Sequence, residues 1–313
     1  MDVVSDLSDG RSGKIAYNSA SPFEIHHILC KLEQAPKHPV FGHLFMPENL
    51  ANSPVPCVIA CHGSRGWASH HEDHIANWLD AGIAVFRIHS FDSRHVVSTV
   101  ETQMMVTHAM MLCDAFEALK LLGTHEMIDS DKIAITGWSL GGTVALYSAW
   151  SPVAEALAPK GERFAAHMPF YPAAHMRPEI QRWENVPIKI LHGEEDDYTP
   201  IDFVYGLSEI ANQNGAEIEI KAYPNSHHSF DSEEEMTWLA NAIKLDTRTV
   251  QIDADGEMWG EIEPGQKMIL NEPAQRKAAF EIAMSIGAHV GGNADTRPIV
   301  LQDSKTFLKK TLG

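Results

Sequence analysis

The chain has 313 residues, 44% of them hydrophobic, and a formal net charge of −18 from 24 Lys and Arg against 42 Asp and Glu. That length buries a sizeable core in a single domain, and the acid excess argues against a phosphate-backbone partner, which needs clustered Lys and Arg. The four cysteines are too sparse for a disulfide scaffold, residues 1–13 are polar and acidic without an apolar leader core, and no run of 18 apolar residues occurs, so a soluble cytoplasmic protein with no nucleic-acid or membrane partner is expected.

In chain order, residues 14–19 and 40–46 read as an antiparallel edge pair. From 56 to 222, short β-rich runs alternate with longer amphipathic stretches, which predicts an α/β fold with a mostly parallel central sheet flanked by helices on both faces. Strands are expected at 57–61, 84–89, 133–137, 164–170, 188–192 and 217–222, with Cys57 and Cys61 as packed, reduced thiols on the first. A helix is expected over about 98–122, where Met105, His108, Leu112, Ala115, Leu119 and Leu122 recur at spacings of three and four. Residues 231–272, acidic and turn-rich around Asp253-Ala254-Asp255-Gly256, read as an insertion or excursion within one domain spanning 1–313. Pro273 suits a first helical position, with Phe280, Ile282, Ala283 and Ile286 as the apolar face, and a last helix is expected at about 303–311.

Chemistry concentrates after the strands. Gly137-Trp138-Ser139-Leu140-Gly141-Gly142 stands between the strand ending at Thr136 and a helix-like stretch. A sharp turn there exposes the serine hydroxyl, glycines allow the close backbone crossing, and the following helix aims its N-terminal amides at a developing oxyanion. A nucleophilic serine needs a base and an acid to orient it. Two acids, Asp196 and Asp197, follow the strand ending at His192-Gly193, and two histidines, His227 and His228, follow the strand ending at Tyr223, which leaves four pairings. Strand ends on one sheet edge converge, so these segments can meet Ser139. Cys61-His62-Gly63-Ser64-Arg65-Gly66 follows a buried strand, and the amides of Ser64 and Leu140 are expected to form the oxyanion hole.

Together with Ser90-Phe91-Asp92-Ser93-Arg94 and Asp114-Ala115-Phe116-Glu117-Ala118-Leu119, these segments resemble the dienelactone hydrolase family of α/β hydrolases over about 40–235, and more weakly over 270–310. The resemblance implies an α/β-hydrolase fold. It selects Asp196, three residues after the glycine and four before Pro200, and His228, which precedes a small residue and Phe230. It also implies that Arg94 lies near the site and can meet a substrate carboxylate, the other reading being an ion pair with one of the many acids. The chain departs from the founding members at two positions: their nucleophile is a cysteine where Ser139 stands, and they carry a glutamate where Gly63 stands, so the thiol-switch machinery is absent.

The expectation is a serine carboxylic ester hydrolase with Ser139 as nucleophile, His228 as base and Asp196 as orienting acid, acting on short- to medium-chain esters through an acyl-enzyme. Trp67 and Trp138, on loops facing the pocket, are expected to contact substrate. The partner is a small-molecule ester; no cofactor is required and no feature indicates a homo-oligomer. Dienelactone, peptide and thioester hydrolysis and a non-catalytic binding role are the rival functions. His70-His71-Glu72-Asp73-His74 lacks the zinc-protease spacing, since residue 75 is Ile, and Asp253 to Gly256 lacks the remaining calcium-loop ligands, so no metal is expected.

Overall fold

The computed structural model describes residues 2–48, 53–245 and 248–313. Strands β1 (Gly13–Ala20) and β2 (Lys37–Phe45) pair antiparallel from Gly13–Leu44 to Ala20–Lys37, with the short α1 (Ile25–Cys30) between them. The chain continues through β3 (Val55–Cys61), α2 (Ser69–Leu79), β4 (Ala84–Ile88), the one-turn α3 (Ser90–Ser93) and α4 (His108–Leu122). Next come β5 (Ile128–Trp138), α5 (Leu140–Tyr147), α6 (Ser151–Leu157), β6 (His167–Phe170), β7 (Met176–Pro178), β8 (Ile188–Gly193), α7 (Ile201–Gln213) and β9 (Ile218–Tyr223). Eight of these strands form one sheet in the order β1-β2-β4-β3-β5-β6-β8-β9. All pairings from β4 to β9 are parallel, and β2 joins β4 antiparallel.

After β9 the chain leaves the sheet. β10 (Thr237–Leu245) pairs antiparallel with β14 (Met284–Val290), while β11 (Val250–Ile252), β12 (Met258–Glu263) and β13 (Gln266–Ile269) extend a small sheet from β7. Helix α8 (Pro273–Ala283) precedes β14, and α9 (Arg297–Leu312) returns to the body. The segment read as a turn-rich excursion is therefore built largely of strands. They are short or half-exposed, and neither strict alternation nor an apolar run marks them.

Side-chain alternation assigns each face of the sheet. Cys57, Ile59 and Cys61 of β3 join a cluster with Leu112, Phe116 and Leu119 of α4, whereas Val58 and Ala60 turn to Trp78 of α2 and to Val300 and Leu308 of α9. A strand buried on both faces reads as a continuous apolar run, as β3 does. Cys57, Cys61 and Cys113 are free thiols inside this packing, and burial pushes each thiol pKa well up, so they stay protonated. Helix α4 starts at His108 and not near 98, because Thr107 caps it by accepting from the Met110 amide (3.4 Å) and residues 98–107 turn instead; Met105, placed on the helical stripe by spacing, is 57% exposed. Helix α9 starts at Arg297, six residues earlier than the sequence implied, with Pro298 in its first turn.

Register levels the strand ends. Cys61 lies opposite Gly137, Trp138 opposite Phe170, and Gly193 opposite Tyr223. The loops after β3, β5, β6, β8 and β9 consequently open along one edge, with β3 and β5 flanking the point where the strand order reverses.

Candidate active site

Ser139 occupies the turn between β5 and α5 with φ 54° and ψ −110°, a conformation an L-residue adopts only under constraint. The constraint comes from both sides: its amide donates to the Phe170 carbonyl (3.0 Å), and its carbonyl accepts from the Thr143 amide (2.8 Å). Gly141 must be glycine here, because a Cβ would lie 2.1 Å from the Cys61 carbonyl oxygen. The crossing of β3 over the start of α5 therefore fixes the turn that presents the serine hydroxyl.

His228, on the loop after β9, meets that hydroxyl with Nε2 at 2.9 Å from Ser139 Oγ, and its Nδ1 lies 2.7 Å from Asp196 Oδ2. The Asp196 Oδ1 accepts from the amides of Tyr198 (2.9 Å) and Thr199 (2.8 Å), and the Thr199 hydroxyl stands 3.0 Å from Oδ2. Burial alone would raise the Asp196 pKa, but the His228 imidazole and these donors outweigh it and hold the carboxyl below its ordinary value. The acid is thus ionised and aimed at Nδ1. Tyr171 and Tyr198 pack against the imidazole with centroids at 4.7 and 4.8 Å, which limits its rotation.

The doubled neighbours are engaged elsewhere. Asp197 accepts from the His289 amide (2.8 Å) and pairs with its Nδ1 (2.9 Å), and His227 Nε2 lies 3.2 Å from Glu195. Asp197, His227 and His289 are the grouping among the described residues that could hold a cation, their donor atoms all lying within 4.8 Å of one another. His70 and His74 of α2, in the motif set aside as a metal site, turn instead to Asp231: His74 Nε2 is 3.1 Å and His70 Nε2 4.0 Å from its carboxylate.

Asp231 was not singled out from the sequence, yet it supports the Ser139 turn from behind. Fully buried, it accepts from the indole of Trp138 (2.9 Å) and the hydroxyl of Tyr171 (2.8 Å), residues that follow or end adjacent strands. Burial opposes its charge, but the His70 and His74 imidazoles prevail and hold its pKa well below normal. Its position three residues after His228 was the only signal available, and nothing local told it apart from the chain's other acids.

Ser139 opens on two cavities. The first is mostly apolar, with Met176, Phe203, Ile243, Val250, Met258 and Phe280 among its walls, so the excursion after β9 supplies much of it. The second runs past Gly63, Trp67, His71, Trp138 and Tyr171. Ser64 lines both, and Leu140, the first residue of α5, has an amide with no carbonyl one turn back to bond. A Cβ on Gly63 would lie 3.2 Å from the Trp138 carbonyl oxygen and 3.5 Å from Ser139 Cβ, so the loop packs directly on the turn. Trp67 borders the second cavity with its indole donating to the Ile88 carbonyl (2.9 Å). Trp138 borders it too, but it is 1% exposed and stacked on Phe170 and Trp78, which makes it chiefly a buttress of the turn.

Arg94 is not brought to either cavity, which corrects the expectation that it meets substrate. Its guanidinium forks onto the buried Asp114 carboxylate at 2.7 and 2.9 Å, and Ser19 and Ser90 hydroxyls donate to the same acid at 2.6 and 2.7 Å. The fork holds its geometry because a buried carboxylate needs a fixed cation. Arg94→Ala should therefore lower stability by about 3–5 kcal/mol, the cost of stranding a buried charge. It should leave the ratio of kcat/KM for carboxylate-bearing over neutral esters unchanged; a selective loss on carboxylate esters, measured alongside urea denaturation, would restore the substrate role.

A family model described as the dienelactone hydrolase family matches residues 41–252. A protein of Aquifex aeolicus provisionally assigned as a carboxymethylenebutenolidase is 28% identical over 102 residues, 33% of this chain; the match spans about two fifths (41%) of that relative. Among solved structures, one provisionally assigned as a dienelactone hydrolase of Klebsiella pneumoniae superposes with a TM-score of 0.50 at 21% identity, covering 70% of this chain and 88% of that one. Thermogutta terrifontis esterase 2 superposes with a TM-score of 0.50 at 17% identity, covering 61% and 80%. No helix among the described residues is long and apolar enough to cross a membrane.

Proposed function

The chain belongs to the dienelactone hydrolase family, and from that premise we propose that it is a serine hydrolase of carboxylic esters working through an acyl-enzyme. The observation that carries the reading is the unbroken line Asp196–His228–Ser139, at 2.7 and 2.9 Å, ending on a hydroxyl held in a strained turn. Ser139 Oγ attacks the ester carbonyl while His228 Nε2 takes its proton, and the tetrahedral oxyanion settles against the amides of Ser64 and Leu140. His228 returns the proton to the leaving alcohol. Water, deprotonated by the same imidazole, then releases the acid and regenerates Ser139. Asp196 keeps Nδ1 protonated and stabilises the imidazolium formed in each half-reaction.

The cavity walls support short- to medium-chain esters. Apolar side chains from the excursion enclose the space beside Ser139, so an acyl or alkoxy chain of moderate length finds apolar area. Engagement of Arg94 by Asp114 removes the anchor that the resemblance offered for a substrate carboxylate, which favours neutral esters over a dienelactone. For p-nitrophenyl esters from two to sixteen carbons, kcat/KM should peak at short or medium length without interfacial activation. A maximum at the longest chains, or a dienelactone preferred by orders of magnitude, would overturn this substrate assignment.

A further inference from the structure

The apolar cavity beside Ser139 contains a polar patch that the hydrolytic chemistry does not use. Glu24, His108, His175 and Arg276 line the same cavity as the nucleophile. Glu24 precedes α1, His108 opens α4, His175 lies between β6 and β7, and Arg276 comes from α8, so four distant segments converge there. Glu24 Oε1 pairs with Arg276 Nη1 at 2.7 Å, and Glu24 Oε2 lies 3.5 Å from His108 Nε2. Glu24 and His108 are 3% and 4% exposed, and neither Glu24 Oε2 nor His108 Nε2 has a hydrogen-bond partner. Buried polar atoms are almost always satisfied, and both residues line the cavity beside Ser139.

Charge defines what can complete the patch. Burial, reinforced by Arg276, keeps the imidazoles of His108 and His175 neutral at pH 7, with His175 pushed down to about 3. Glu24 and Arg276 neutralise one another. A substrate carboxylate would meet the Glu24 charge and a substrate cation the Arg276 charge, while a plain alkyl end would seal Glu24 Oε2 and His108 Nε2 away from water without a partner. An uncharged group that both donates and accepts fits: a hydroxyl can donate to Glu24 Oε2 and accept from His108 Nε2–H in the tautomer that leaves Nδ1 unprotonated. We propose that Glu24 and His108, held by Arg276, form a specificity site for esters carrying an uncharged hydroxyl distant from the scissile bond. This rests on the ester-hydrolase reading above and narrows its substrate class.

The test compares three matched sets of substrates over four to twelve carbons: ω-hydroxy, alkyl and ω-carboxy chains, placed once on the acyl side as methyl esters and once on the alcohol side as acetates. In the wild-type protein one of the two placements should show ω-hydroxy esters preferred over alkyl esters of equal length by about 10- to 100-fold in kcat/KM, with ω-carboxy esters poorest. His108→Leu should bring the hydroxyl-to-alkyl ratio close to one. Because removing Glu24 alone strands Arg276, the paired change Glu24→Leu with Arg276→Met replaces both charges at similar volume, and in a protein whose thermal unfolding remains cooperative it should reverse the preference to alkyl chains. Hydrolysis of p-nitrophenyl acetate, which carries no such group, reports separately on Ser139: if it is absent, the ester-hydrolase reading itself fails. If it is present while neither placement prefers the hydroxyl, or while the carboxylate is preferred, the specificity site is refuted and the hydrolase stands.

Discussion

Ser139→Ala should fold as the wild type does and lose at least about 10³-fold in kcat for a p-nitrophenyl ester, the order expected when one member of a nucleophile–base–acid unit is removed. The hydroxyl's bond to His228 is made at an accessible turn whose backbone is fixed by Phe170, Thr143 and the glycine crossing, so deleting one oxygen leaves those restraints in place. A fluorophosphonate should accordingly label the wild-type protein at Ser139 alone, identified by peptide mass. The three interior thiols offer no competing nucleophile, since burial keeps them protonated. Substantial turnover in the alanine variant, or a label on another residue, would dismiss Ser139 as the nucleophile.

Asp196→Asn and His228→Ala should each cost on the order of 10³- to 10⁴-fold, whereas Asp197→Asn and His227→Ala should cost less than about tenfold. The two pairs are adjacent in sequence but differ in what they touch. Asp196 is buried and directs one oxygen to His228 Nδ1, and Asn in its place would put either a poorer acceptor or a donor against that nitrogen and upset the tautomer. Asp197 holds His289 at the rim, and His227 contacts Glu195. Single-turnover measurement of acylation separates the pairs cleanly. A loss at His227 larger than at His228 would reverse the assignment.

Legibility in the sequence followed the range of the interactions. The buried parallel strands and the strand-to-helix turn at Ser139 were readable because their signals are local: apolar runs of five to seven residues, and a serine among glycines at a strand's end. The doubled acids and histidines were unresolved by spacing, and only the family pattern chose between them. Arg94 and Asp114 both stood in quoted motifs, yet their pairing across 20 residues depends on the packing of α4 against the sheet. The same limit hid Asp231, whose partners are contributed by α2, β5 and the end of β6. The excursion was located but its strands were not recognised, because β11 has three residues and β13 four, too few for alternation to register. Residues such as Ile243, Met258 and Phe280 became cavity walls only through that tertiary placement.

The course of β14 also bears on how this protein can change. Its last residue, Val290, bridges the His228 backbone, and the next amide, that of Gly291, donates to the His228 carbonyl at 2.9 Å. Its antiparallel partner β10 supplies Ile243 and Lys244 to the cavity. The segment that shapes the cavity is thus spliced to the backbone carrying His228. A substitution that reshapes the cavity through β10 or β14 should also shift the His228 imidazole relative to the Ser139 hydroxyl, so changes in ligand choice and changes in turnover are expected to travel together. New selectivity can arise in this scaffold independently of reaction speed only through walls that lack that splice, such as Phe203 on α7.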